Sequence, residues 1–92
     1  MRLDLFLKTS RLIVRRSLAQ KFCDANRVRV NGQAAKSSRE VRANDEIEIK
    51  RENRRTRIKV LQVPDKKQFA KHDAANLYEV LEEEKLAEDL LN

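Results

Sequence analysis

Apolar residues near the start of the chain fall at Leu3, Phe6 and Leu7, a spacing of i, i+3 and i+4 that places them on one side of a short helix and leaves Arg2, Lys8 and Arg11 outside it. A second helix is predicted over "RRSLAQKFCDA". There Leu18, Phe22 and Ala25 recur at helical spacing, and Asn26, which tolerates the left-handed conformation, closes the end. The period then changes to two. In "RVRVNGQAAK", Val28 and Val30 point to one face and Arg27 and Arg29 to the other, and Asn31-Gly32 signals a tight hairpin turn. The alternation returns in "EIEIK" and "RIKVLQV" through Ile47, Ile49, Ile58 and Val60, with "RENRRT" as a polar loop between them. Pro64 and the polar run "DKKQFAKHD" end the strand pattern. The closing "DAANLYEVLEEEKLAEDLLN" reads as a helix, with Asp73 as N-cap and Leu77, Val80, Leu81, Leu90 and Leu91 as an apolar stripe beside an acidic face. The predicted fold is α+β: short helices packed on a small antiparallel sheet over residues 1–63, then a linker and an acidic C-terminal helix over 64–92.

Composition narrows what such a fold can do. With 92 residues, 40% hydrophobic and 39% charged, the chain is too apolar to be disordered and too small to enclose a multi-residue active site. Its net charge of +6 is unevenly spread. Residues 1–63 carry 17 Lys/Arg against 7 Asp/Glu, a net of +10, and residues 64–92 carry 4 against 8, a net of −4. The basic part calls for a polyanion and the acidic tail does not.

No catalytic, cofactor or metal site is expected. Gly32 is the single glycine, so there is no glycine-rich phosphate loop, and His72 stands alone in a polar linker. Cys23 has neither a disulfide partner nor a zinc-ligand spacing and is read as a small core residue. No run approaches the roughly 20 apolar residues of a membrane span, and "MRLDLFLKTS" lacks the apolar stretch of a signal peptide. A cytoplasmic protein without membrane contact is expected.

The cations carry the positive signal. Lys8, Arg11 and Arg15 are spaced i, i+3 and i+7, so a first helix that ran this far would stack them along one side, with Arg16 opening the next helix beside them. Arginine suits phosphate because its planar fork is always charged and donates two parallel hydrogen bonds. Asp4 admits two readings, a partner that orients Arg2 or a neighbouring arginine, or a helix-start carboxylate favoured by the dipole. Aromatics make up only 4% of the chain, with Phe6 and Phe22 assigned to the helix core and Phe69 to the linker, so phosphate and shape recognition is expected rather than base stacking.

Taken together, "RLDLFL", "SR", "RRSLAQ", "RVRVNGQAAK" and "VRANDEIEI" resemble the RNA-binding domain named after ribosomal protein S4, over roughly residues 1–50. The resemblance implies short helices on a small antiparallel sheet and a helix-loop-helix face that holds structured RNA. It assigns RNA contact to Arg2, Lys8, Arg11, Arg15, Arg16 and Lys36, with Asp4 as the orienting acid. Arg15 stands where many members have a Thr or Ser helix cap, Asn26 where many have Gly, and Ala43-Asn44 where many have Pro-Gly.

The length and the closing segment are similar to stand-alone members of that family which act in ribosome-associated quality control. This implies rRNA of the large subunit, tRNA and the ribosome as partners, together with an alanine-tailing quality-control factor. Small ribosome-binding heat-shock proteins of the same family are the second resemblance. The RNA-binding module of an RNA-modifying system, and an adaptor working through its acidic helix, remain open.

Overall fold

The computed structural model describes residues 1–64 and 74–85. Two helices, α1 (Leu3–Thr9) and α2 (Arg16–Asp24), precede strands β1 (Val28–Val30), β2 (Gln33–Ala34), β3 (Glu46–Lys50) and β4 (Arg54–Val60). A short 3-10 turn over Ala75–Leu77 then leads into β5 (Tyr78–Lys85). The strands form one antiparallel sheet in the order β2-β1-β3-β4-β5.

The turn between β1 and β2 follows from its residues. Asn31 and Gly32 sit at φ 52 and 84, the positive values that a two-residue primed turn demands. The Asn31 side chain then ties the hairpin to β3, accepting from the Glu46 N–H at 3.0 Å and donating to Asp45 at 3.1 Å. Asn26 and Asn44, at φ 59 and 75, take left-handed positions, a conformation that Asn visits more readily than most residues.

Leu3, Phe6 and Leu7 of α1 are fully buried against Val28, Ile47, Ile49, Ile58 and Val60 of the sheet. The β alternation therefore buries the predicted residues. The second helix is rotated from its expected setting. Its buried side chains are Ala19 and Cys23, whereas Leu18 is 38% exposed, Phe22 half-buried and Ala25 exposed. Small residues at this contact let the helix approach closely, and the apolar volume is completed by Ile13 from the connection before it. The loop between β3 and β4 is also shorter than expected, because β4 begins at Arg54.

The closing helix is corrected over residues 78–85, which form β5 along the free side of β4. Asp73, Leu90 and Leu91, like His72 and Phe69, lie outside the described residues. The segment is rich in good helix formers, but these differ by less than about 0.7 kcal/mol per residue. A strand gains more here. Tyr78 and Val80 oppose Val60 and Ile58, while Glu82, Glu83 and Glu84 oppose Arg57, Thr56 and Arg55. The β4 guanidinium groups reach these carboxylates: Arg54–Glu83 at 3.4 Å, Arg55–Glu84 at 3.0 Å and Arg57–Glu82 at 3.7 Å. Cross-strand charge pairs of this kind add roughly 0.2–1 kcal/mol each to the ladder bonds. No helix among the described residues is long and apolar enough to cross a membrane.

Candidate RNA interface

Asp4 organises the helical face. It lies in the first turn of α1 with its side chain fully buried, although an isolated buried carboxylate is costly. Four groups compensate it. Arg2 donates from Nε and Nη2 at 3.2 and 3.4 Å, the Leu5 N–H donates at 2.8 Å and Gln20 Nε2 donates at 2.8 Å. Arg16 Nε adds an ion pair at 3.3 Å without hydrogen-bond geometry. Burial pushes the Asp4 carboxyl up, but the Gln20 bond, the Arg16 contact, the Leu5 N–H and the Arg16 charge together outweigh it and hold the group below its ordinary value. Asp4 stays ionised. The side chains of Arg2 and Arg16 remain 48% and 41% exposed. A buried anion thus aims two outward cations.

Both readings of Asp4 meet the contacts: it lies in the first turn of α1 and accepts from the Leu5 N–H, and it pairs with Arg2 and Arg16. Lys36 comes near by another route. The segment it opens lies across the start of α1, where the Ser37 and Arg39 carbonyls accept from the Asp4 and Leu3 N–H groups at 3.1 and 2.8 Å. Lys36 itself is exposed.

The single helical ridge of Lys8, Arg11 and Arg15 is corrected. The first helix ends at Thr9, and Arg11 takes a left-handed φ of 67 beyond it. Arg15 is extended at the N-cap of α2 and makes no side-chain cap, so its guanidinium is exposed. The three cations come from a helix, a loop and a helix entry rather than from one face. None makes an ion pair among the described residues.

The opposite side of the molecule has the reverse character. On the outer face of the sheet, Arg55 meets Glu48, Glu82 and Glu84 within 3.5 Å, and Arg57 meets Glu46 at 2.9 Å. Arg55 and Arg57 of the sheet are thus paired, whereas Lys8, Arg11 and Arg15 make no ion pair among the described residues.

Two contributors were missed in the sequence. Gln20 lies four residues after Arg16 on α2, so helical spacing alone could have placed it on the same face. Arg51 donates to the Leu12 carbonyl at 2.7 Å and to Thr56 Oγ1 at 3.3 Å, bracing the connection between the helices from 39 residues away. Nothing local signals that contact. Cys23 is 4% exposed, and burial first, then the charges of Asp4 and Asp24, push its thiol up to about 11. It is a core residue. Among the described residues no group of three or more His, Cys, Asp or Glu gathers as a metal site.

Known proteins resemble this chain in sequence and in fold. The S4 domain family matches residues 1–47. A protein of Streptococcus pneumoniae named RQC P-site tRNA stabilizing factor is 42% identical over 98% of this chain and 100% of its own. The Bacillus subtilis protein of the same name is 43% identical over 96% of this chain and 100% of its own. Among solved structures, the trimeric Heat Shock Protein 15 of Vibrio cholerae superposes with a TM-score of 0.77 at 26% identity, covering 99% of this chain and 86% of that one. A hypothetical protein solved in solution gives 0.76 at 34% identity over 87% of this chain and 95% of that one.

Proposed function

The chain belongs to the S4 domain family and, within it, to the RQC P-site tRNA stabilizing factors, and from that place we propose a non-catalytic, cytoplasmic RNA-binding protein that steadies peptidyl-tRNA on a stalled large ribosomal subunit. It contacts tRNA and rRNA through Arg2, Lys8, Arg11, Arg15, Arg16 and Lys36, with Asp4 as the orienting acid. Holding the tRNA supports addition of a C-terminal alanine tail to the trapped chain by a separate quality-control factor. Residues 1–63 supply the RNA-binding unit.

The observation that carries this reading is the Asp4 cluster. A fully buried carboxylate that holds two half-exposed guanidinium groups presents their remaining donors outward in fixed directions, which suits the spaced oxygens of a nucleic-acid backbone. Flexible surface cations would lose more entropy on binding.

A second reading is a heat-shock-type ribosome-recycling role, and the fold likeness to Heat Shock Protein 15 keeps it in view. Sedimentation at physiological salt separates the two. We expect the protein to bind large subunits carrying P-site peptidyl-tRNA more tightly than vacant large subunits or intact ribosomes, and Arg16→Ala to remove that advantage. Equal binding to loaded and vacant large subunits would favour the recycling role, and equal binding to intact ribosomes would contradict both.

A further inference from the structure

We infer a nucleotide seat beside the Asp4 cluster, where one unstacked nucleotide of the bound RNA places its base in an apolar cleft and its phosphate among arginines. The inference rests on the RNA-binding reading above and adds to it a specific site.

Leu12, Ile13, Val14, Leu18, Phe22 and Arg51 line a cavity of about 250 Å³ in the connection between α1 and α2. Val14 is 73% exposed and Leu18 38% exposed, which leaves apolar surface wet beside the cationic face. A second cavity of about 270 Å³ adjoins it through Leu12 and Arg51, and Arg11, Arg54 and Glu83 line it together with Thr56, Tyr78 and Val80. The first cavity is thus mainly apolar, and the second sets three arginines, Arg11, Arg51 and Arg54, against a mixed wall. A purely apolar occupant would leave Arg11 without counter-charge and Arg54 with only its half-exposed pair to Glu83, and a phosphate alone would leave Val14 and Leu18 in water. A nucleotide satisfies both cavities, its base excluding water from the first and its phosphate neutralising the second.

The partition between the cavities is held before any RNA arrives. Arg51 donates to the Leu12 carbonyl and to Thr56 Oγ1, while buried Ile13 anchors the loop that presents Arg11 and Val14. Glu83 occupies the phosphate position, with Oε1 3.4 Å from Arg54 Nη1 and accepting from Thr56 Oγ1 at 3.4 Å. Both members of the Arg54–Glu83 pair are 51% exposed, so the pair is weak and an RNA phosphate displaces the carboxylate. The scarcity of aromatics argued against stacking as the main mode of recognition. One seated base is compatible with it.

The test uses the full chain and two RNAs, a short duplex and the same duplex with one bulged 2-aminopurine. The wild type should bind the bulged RNA about tenfold more tightly, the effect of one well-seated base, with a change in 2-aminopurine fluorescence. The double substitution Val14→Ser and Leu18→Ser, both at exposed positions, should abolish the preference and keep duplex binding. Glu83→Gln should strengthen binding of the bulged RNA, and Arg16→Ala should weaken both RNAs alike. If the wild type binds both RNAs equally, or the double variant keeps the preference, the seat is overturned while RNA binding stands. If the double variant keeps the preference and loses only affinity for whole ribosomal subunits, the cleft takes an apolar protein side chain instead and the seat is likewise overturned. Binding of neither RNA would overturn the RNA-binding reading itself.

Discussion

Asp4 concentrates the account at the level of single residues. Its carboxylate compensates a main-chain N–H, an amide and two guanidinium groups at once, so Asp4→Ala strands all of them. We expect a loss of about 1–3 kcal/mol of stability in urea unfolding together with weaker RNA binding. The pH dependence has a definite sign. Since the folded-state value of Asp4 is lowered, its contribution is present above the ordinary carboxyl value and is lost as pH falls through the folded value, below about pH 4. Stability measured against pH should therefore fall less steeply in that acid range for Asp4→Asn than for the wild type. Cys23 offers an independent check of burial. With its thiol pushed up to about 11, it should resist alkylation at neutral pH in the native protein and react once urea unfolds it. Fast native labelling would place it outside the core.

Among the elements, β5 is the one that local sequence misassigns. The amphipathic period of "YEVLEEEK" fits a helix, and its partners, the arginines of β4, lie more than 20 residues earlier in the chain. Only the ladder brings them together, and a register shift between Arg57 and Ile58 moves the three glutamates into line. Elements with local signals were legible: the Leu3, Phe6 and Leu7 face of α1, the Asn31-Gly32 turn and the alternation of β3 and β4. The setting of α2 was not, because periodicity marks Leu18 and Phe22 as apolar without showing that small Ala19 and Cys23 make the close contact. The site divides in the same way. Arg2, Asp4 and Arg16 could be named from motif and spacing, whereas the brace from Arg51 to Leu12 depends on tertiary packing. Leu77 leads into β5 and is fully buried, so Leu77→Ala should cost about 2–5 kcal/mol in urea unfolding. A surface-like loss below about 0.5 kcal/mol would mean that β5 is not part of the core assembly.

At the scale of the molecule, the described residues carry their unpaired cations mainly on the helical side. Glutamates of β3 and β5 neutralise the cations of the outer sheet face, while Lys8, Arg11, Arg15 and Lys36 carry no ion pair among the described residues. RNA should therefore meet the helical side, and affinity should fall with salt with a log-log slope of roughly 0.7–0.9 per phosphate neutralised. Replacing Arg11 and Arg15 together by Ala should reduce that slope by about two such increments, and charge reversal of Glu46 should leave it nearly unchanged. The most direct measurement is a cryo-EM reconstruction of the protein on a large ribosomal subunit carrying P-site peptidyl-tRNA. The account predicts Arg2, Arg11 and Arg16 within hydrogen-bond reach of RNA phosphates, Asp4 still buried between Arg2 and Arg16, and the paired sheet face turned away from RNA. A reconstruction with the outer sheet face on the RNA and the helical side in solvent would contradict it.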